Sequence, residues 1–516
     1  MSTPPRIESC MAYHHATGYN RHRMTPHYLR WSDVPVQVKT YPNSETVLLE
    51  PSNEFPAASL WQVLNATPSP DNAHTIDFRD LSTVLGLAYG VTAEQRMGGQ
   101  VYRYRSVPSA GALYPAEIYL ASSGLSGHRD GLYYYDINRS ALIRLRNEDP
   151  SIHILNALRP QESSLRQVSF LLSGIFYRSA WKYRNRAFRY VLLDIGHLVE
   201  NLYLALRLLG MPGSSRYDFE DEALNRLTGV DTQREACFVC VNTGACLSEA
   251  ERKTAGVLDG ISPSFDAHKQ ASRTAVHETF YQEIADIHRI SSQLKTPGPG
   301  KKDEFRVVDL AADEWFPVLK TESVPDSKIP FSEAVTRRRS RRNFIPALLP
   351  TGDFMHLLAL LCEFPTENLN EGGVDGAFLE TGFLTSHVEG FDPGFYLLSR
   401  SRGAYRRVKP GVFTEKMAQV CLDQAWLKFA AVHFLFMANL KEIDQKPGAR
   451  GYRYTLMDAG RLAQRLYLGA TSLNIGCCGI GALYDGEART LLSLNDASAL
   501  LYLVAAGPIK GRGRHP

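Results

Sequence analysis

The sequence predicts an α+β chain made of two tandem copies of one helix-and-sheet domain, paired as an intrachain pseudo-dimer around long central helices. Three observations predict it. First, Arg189–Leu198 (RYVLLDIGHL) lies over Arg453–Leu462 (RYTLMDAGRL) at an offset of 264, and Leu202-Tyr203-Leu204 lies over Leu466-Tyr467-Leu468. Nine of seventeen positions are identical between 189–205 and 453–469, where background composition gives about one. Second, Asp130-Gly131 turns into Leu132–Tyr135, and Pro393-Gly394 turns into Phe395–Leu398 at an offset of 263. Third, each copy closes on an apolar strand, Ala236–Val241 and Ala499–Val504. Two copies at so large a separation indicate a duplicated domain rather than a solenoid.

Size and composition agree. A chain of 516 residues exceeds what one core serves. Its 44% hydrophobic and 22% charged residues are those of a water-soluble globular protein. A net charge of +3 is too mild to imply nucleic acid or an anionic membrane. The longest apolar stretch is broken by Asp194, His197, Glu200 and Asn201, so no transmembrane span is expected. The start, MSTPPRIESCMAYHH, lacks the apolar core of a secretory signal. Eight scattered cysteines fit free thiols, and a cytoplasmic location is expected.

Along the chain, residues 1–59 are polar and Pro-studded and read as an N-terminal extension. Domain 1 spans 60–250. A helix opens at Asp80-Leu81, runs to Tyr89 and stops at Gly90. A loop, Pro108–Pro115, precedes a strand at Ala116–Ala121 rich in aromatic and β-branched residues. The stretch from Tyr183 to Gly210 then predicts a buried helix of about seven turns. Residues 251–325 form a helical linker segment, with an amphipathic helix at 277–295 and a Pro/Gly/Lys hinge at 297–302. Domain 2 spans 326–516.

Four pieces carry chemistry. Arg337–Phe344 (RRRSRRNF) precedes an apolar helix, FMHLLALL. Guanidinium forks and a hydroxyl, from Arg338, Arg339, Ser340 and Arg342, suit a phosphate, although an isolated Arg run is more often a solvated face. Pro108, Ser109, Ala110, Gly111 and Leu113 belong to a small-residue loop that lets backbone approach a flat ligand; the plain alternative is a turn before a strand. Gly476–Gly481, with Cys478, Gly479, Ile480 and Gly481, is either a glycine cap after the second long helix or a row of amides along a ring; it is no P-loop, since no strand leads in and no Lys-Ser/Thr follows. Lys182-Tyr183 offers two proton-transfer groups whose pKa values need lowering before either acts as a base. His197 reads as a core histidine. Cys237 and Cys240 form a CxxC whose side chains leave a regular strand on opposite faces, which argues against zinc; no metal site is expected.

Together these motifs resemble the FMN-dependent nitroreductase-like superfamily and, within it, the SagB-type dehydrogenases, azoline oxidases that turn thiazolines and oxazolines into thiazoles and oxazoles. PSAGALYP at 108–115, Gly131-Leu132-Tyr133 and 182–205 carry the resemblance closely over about 80–250; RRSRRNF at 338–344 and Lys510-Gly511-Arg512 carry it more loosely over 330–512. It implies two nitroreductase-like domains and FMN, with phosphate on Arg338, Arg339, Ser340, Arg342, Lys510 and Arg512 and the ring against the 108–113 loop and 478–481. It implies Tyr183 as the proton-transfer group and Lys182 as the cation beside it, or the reverse, with Arg186 bridging to the helix and dioxygen as final acceptor. An azoline-containing peptide or carrier-bound substrate, a cyclodehydratase partner and, beyond the pseudo-dimer, a further homo-oligomer are its corollaries. The alternatives are an NAD(P)H-dependent nitro or quinone reductase and a non-catalytic scaffold of a modifying complex.

The duplication tests this within one chain. RRSRR moved back by 264 lands on His74–Phe78, and PSAGALYP moved forward by 263 lands on Glu371–Phe378. Lys182-Tyr183 lands on Lys446-Pro447. The losses are complementary, which predicts one FMN per chain, with its phosphate on the second half and its ring between the two.

Overall fold

A computed structural model of the chain describes residues 6–24, 27–50, 55–66, 76–97, 100–125, 128–160, 166–246, 265–295, 307–308, 314–318, 329–362 and 378–511. The hinge at 297–302, most of 371–378 and Arg512 lie outside these residues.

Each half holds a seven-stranded sheet in which every neighbouring pair is antiparallel. The first runs, edge to edge, Thr46–Leu48, Ala141–Arg146, Gly131–Asp136, Ala116–Ser122, Arg166–Ile175, Glu235–Cys246, Gly213–Arg216. The second runs Phe316–Pro317, Ala404–Pro410, Gly394–Ser399, Glu380–Thr385, Val432–Asn439, Ser498–Gly507, Gly476–Ile480. The order is the same in both, strand for strand. The middle strands, Ala116–Ser122 and Glu380–Thr385, and the strands next to them, Arg166–Ile175 and Val432–Asn439, are buried almost throughout. A hairpin, Val91–Met97 with Gln100–Arg105, stands apart from both sheets.

The two central helices, Ala187–Leu208 and Arg450–Ser472, are buried almost along their whole length and cross each other between the sheets. Their crossing is possible only because two glycines sit there. A Cβ on Gly196 would stand 2.1 Å from the Met457 carbonyl oxygen, and one on Gly460 would stand 2.2 Å from that of Leu193. Gly196 and Gly460 are equivalent under the duplication, as are Leu193 and Met457, so the contact is reciprocal. That is the signature of a two-fold interface between copies.

Charged contacts repeat the relation. Asp485 binds Arg186 (2.6 Å) and Arg189 (2.8 Å), and Asp221 binds Arg450 (2.5 Å) and Arg453 (2.5 Å). Each carboxylate clamps the start of the opposite half's central helix. Segments on either side of the first sheet in sequence also correspond. In the helix Cys10–Ala16 and its exit, the His14 carbonyl and Thr17 Oγ1 accept from Arg189; in the helix Gln282–Ser291, the His288 carbonyl and Ser291 Oγ accept from Arg453.

Three expectations change. The helix expected from Tyr183 is broken. Phe176–Tyr183 is a separate helix, and Arg184, at φ +54°, turns the chain before the central helix begins at Ala187. Such a conformation is rare for a side chain other than glycine. Gly476–Ile480 is an edge strand paired with Ser498–Gly507, not a glycine helix cap. A register shift between Leu172 and Ser173 places an extra residue in the partner strand, so Cys237 and Cys240 share one face and one apolar cluster with Tyr119 and Leu171. Among the described residues no group of side chains is arranged to hold a metal, and no helix is long and apolar enough to cross a membrane.

Candidate active site between the two halves

A cleft opens where the first central helix faces the edge strand Gly476–Ile480 of the other half. The first half contributes Pro108–Gly111, Tyr183, Tyr190, Leu193, Asp194 and His197. The second contributes Ser340, Arg342, Gln424, Trp426, Tyr467, Cys478–Ala482 and Tyr502.

The 108–111 loop is held from behind. Ser109 Oγ donates to Asp194 Oδ2 (2.5 Å), the Ala110 N–H points at Asp194 Oδ1 (3.4 Å), and Ser109 Oγ accepts from the Tyr114 N–H (2.9 Å). Gly111 (+67°), Ala112 (+54°) and Tyr114 (+48°) all have positive φ, a local strain the surrounding bonds must hold. Burial pushes the Asp194 carboxyl up to about 7, against the pull of those two donors.

Lys182 and Tyr183 end the short helix Phe176–Tyr183 and converge on Gly111. A Cβ there would lie 3.1 Å from the Tyr183 hydroxyl and 3.3 Å from Lys182 Nζ. Burial and Arg342 lower the Lys182 ammonium. Burial, Tyr19 and Asp194 raise the Tyr183 phenol, opposed only by Arg342. Lys182 Nζ stands over the Tyr183 ring, 5.5 Å from its centre. Burial thus moves the amine toward neutrality and the phenol away from ionisation. Arg186 does not bridge the pair to the helix: it is committed to Asp485 and to the carbonyls of Thr17 and Gly481.

On the opposite wall the arginine run adopts an extended path, and its side chains divide. Ser340 and Arg342 face the cleft, and Ser340 Oγ meets the Tyr467 hydroxyl at 2.9 Å. Tyr467 also accepts from the Gly479 N–H (2.6 Å), tying this turn to the edge strand. Arg338 lies behind Tyr467 and donates to the carbonyls of Ser106 (2.7 Å) and Arg105 (3.0 Å). Arg339 donates to Thr92 and lines a different cavity with Arg337 and Arg341. Leu113 packs with Tyr177 and Trp181, away from the cleft. The Lys510 backbone pairs with Asn343, next to Arg342. Of the residues singled out in the sequence, then, Pro108, Ser109, Ala110, Gly111, Tyr183, Ser340, Arg342, Cys478, Gly479, Ile480 and Gly481 come together, with Lys182 alongside. Leu113, Arg338 and Arg339 do not.

The donor set fits a flavin mononucleotide. Ser340 and Arg342 supply a hydroxyl and a cation, the Cys478–Ala482 backbone lines one side, and the Tyr190 hydroxyl is buried with no hydrogen-bond partner of its own. A buried polar group left in this state is costly unless a ligand satisfies it. A Cβ on Gly481 would lie 2.5 Å from the Tyr190 ring, so only glycine lets this strand end approach. His197 bridges Gln464 (3.0 Å) and Tyr502 (3.2 Å), and burial holds it neutral, down to about 3. Tyr190, Asp194, Trp426, Tyr467 and Tyr502 were not singled out in the sequence. Tyr190, Asp194 and Tyr467 fall inside the duplicated helix motif, where identity between copies signals architecture.

The mirror-image position is filled. Arg461 replaces His197, donates to Glu200 (3.0 Å), reaches the Tyr217 hydroxyl (3.3 Å) and lies 5.0 Å over the Tyr203 ring. Arg465 also donates to Glu200 (2.5 Å). Tyr217 and Ser215 occupy the positions equivalent to Gly481 and Gly479.

Two like sheets around crossed helices, with a polar cleft on their seam, form the frame of a nitroreductase-like oxidoreductase, of the flavoprotein kind. The chain belongs to the nitroreductase family, whose pattern it matches over residues 63–244 and 398–508. A nitroreductase-like protein of Methanocaldococcus jannaschii is 31% identical over 153 residues, covering 30% of this chain and 74% of the relative. The trifolitoxin-processing protein TfxB of Rhizobium leguminosarum bv. trifolii is 26% identical over 133 residues, 25% of this chain and 36% of that protein; the chain therefore spans about a third of it. The crystal structure of a nitroreductase-like protein from Anabaena variabilis superposes with a TM-score of 0.77 at 25% identity, covering 98% of this chain and all of that one.

Proposed function

We propose that this chain is an FMN-dependent dehydrogenase that oxidises thiazoline or oxazoline rings of a peptide natural product to thiazoles or oxazoles. The observation that carries the reading is the convergence of Lys182 and Tyr183 on Gly111, at the edge of a cleft whose walls come from both halves. The likeness to a trifolitoxin-processing protein supports a peptide substrate, and such a substrate would come from a cyclodehydratase.

In this reading Ser340 and Arg342, with Lys510 and Arg512, hold the FMN phosphate, and the 108–111 loop, Tyr190 and the Cys478–Gly481 backbone hold its ring. FMN would supply the acceptor for the hydride lost by the azoline, with dioxygen restoring it. The lowered Lys182 amine takes the acidic ring proton. The raised Tyr183 phenol stays protonated and donates a hydrogen bond to the charge that develops as that proton leaves. Lys182→Met and Tyr183→Phe should stay yellow, with one FMN per chain, while losing turnover of a thiazoline-containing peptide. Variants that are colourless, or that still turn over, would refute these roles.

A second reading, an NAD(P)H-dependent reductase of nitro or quinone compounds, draws on the family match itself. Rapid bleaching of the flavin by NAD(P)H alone would favour it.

A further inference from the structure

Beside the cleft lies a larger groove of about 790 Å³, and the two share Tyr183. One wall is N-terminal, from residues between His14 and Met24 together with His27; the other is Lys182–Asn185 with Tyr281 and Glu283. The N-terminal wall is firmly seated. Met11 N–H donates to Asp444 (3.1 Å), Tyr13 OH to the Asn185 carbonyl (2.7 Å), and Tyr19 N–H to Asp485 (2.9 Å). Farther along, Trp181 Nε1 donates to the Arg30 carbonyl (2.9 Å) and Arg178 to that of Val36 (2.9 Å), so the segment straps the helix that carries Lys182 and Tyr183.

The charge of this groove is mainly positive. Of its two acids, Asp485 is neutralised by Arg186 and Arg189, while Glu283, which accepts from Asn185 Nδ2 (2.9 Å), keeps its charge against the cations around it. Arg489 is paired with Asp496. Arg23 and Arg184 are both exposed, and among the described residues neither has a carboxylate partner. His15, His27 and Lys182 add further positive or protonatable groups. In the same segment Met24, which lines the groove, and Tyr28 and Trp31, a few residues on, are exposed at 44%, 87% and 66%. Among the described residues the Arg184 side chain meets only the neutral Tyr281 hydroxyl. A five-membered ring fills only a small part of such a space, and exposed apolar side chains beside cations with no carboxylate partner mark a binding surface.

We infer that this groove is the track for an extended acidic peptide segment that delivers the ring to Lys182 and Tyr183. The inference rests on the proposed function for what happens at the inner end, but the track itself is read by binding alone. The probe is a short fluorescein-labelled Gly-Glu repeat peptide, compared with its Gly-Gln counterpart, by fluorescence anisotropy on the full-length flavin-loaded protein. The Glu peptide should bind about ten-fold more tightly than the Gln peptide, with the preference fading as salt rises. Arg23→Glu combined with Arg184→Gly, a residue suited to the backbone there (φ +54°, ψ −139°), should cut its affinity about ten-fold or more with the flavin spectrum unchanged. Equal binding of the two peptides, or an unchanged affinity in the double variant, would overturn the inference. So would binding of 4′-phosphopantetheine in place of the Glu peptide, which would indicate a carrier-bound substrate. A protein that holds the acidic peptide this way yet leaves thiazolines untouched keeps the track and loses the proposed reaction. One that oxidises thiazolines with no acidic preference keeps the reaction and loses the track.

Discussion

Asp194 should make stability depend on pH in the sense opposite to most carboxylates. It is 6% exposed, and its neighbours are one hydroxyl, one weakly aligned N–H and no paired cation. Its folded value of about 7 stands well above the ordinary 3.8. Between those two values the folded chain keeps a proton that the unfolded chain has released, so stability falls as pH rises through the window and is highest below it. The full displacement corresponds to roughly 4 kcal/mol at alkaline pH. Asp194→Asn removes the ionisation while keeping an amide oxygen to accept from Ser109. The variant should therefore gain on the parent steadily from about pH 4 to pH 7 and then level off. For a chain of this length melting as one unit, 4 kcal/mol is roughly 4 °C in Tm. Thermal melts of flavin-free parent and variant across that range test it. A difference that stays constant with pH, or grows toward acid, would refute the reading of Asp194 as a carboxyl forced to hold its proton.

Three further outcomes follow from the geometry. Arg342→Ala should weaken FMN binding about ten- to hundred-fold, the loss of a charge-assisted contact, read by flavin fluorescence quenching; Arg338→Ala should instead lower Tm, since that side chain is committed to the Ser106 and Arg105 carbonyls. Gly460→Ala should destabilise by about 1–3 kcal/mol or more despite alanine's better helix propensity, because its Cβ meets the backbone oxygen of Leu193, and denaturant melts should show the same for Gly196→Ala. Asp221→Ala leaves Arg453 without its carboxylate and Arg450 with Asp218 alone (3.3 Å) and should cost about 3–5 kcal/mol in denaturant melts, while the flavin-to-chain ratio stays unchanged.

The duplicated helix motif was legible because burial on all sides and an identical Arg-Tyr-x-Leu-x-Asp-x-Gly pattern do not arise twice by chance. The 108–111 loop and the arginine turn were legible as candidate ligand-binding segments. Which arginines face the cleft was not: an extended path alternates them, and a run of five hides that alternation. The break at Arg184 was hidden because nothing in the Lys182–Arg186 composition signals a positive φ. Gly476–Ile480 resembled a cap because its two cysteines and two glycines lack the β-branched residues that mark a strand. Asp194 and Tyr467 were obscured differently: repetition in both copies gives them the pattern of scaffold residues. The segment 251–325 shows its amphipathic helix in sequence, found at Gln282–Ser291, but the correspondence between that helix and Cys10–Ala16 was hidden, since the two share little beyond His14 and His288.

The reciprocal glycine crossing also has a consequence for how the protein behaves in dilute solution. Two separate subunits meeting at such a seam would assemble their cleft by collision and lose it as concentration fell. Covalent linkage turns that encounter into an intramolecular one, with an effective local concentration fixed by the connecting segment. Specific activity should then stay flat across protein dilution, even where an unlinked relative would fade.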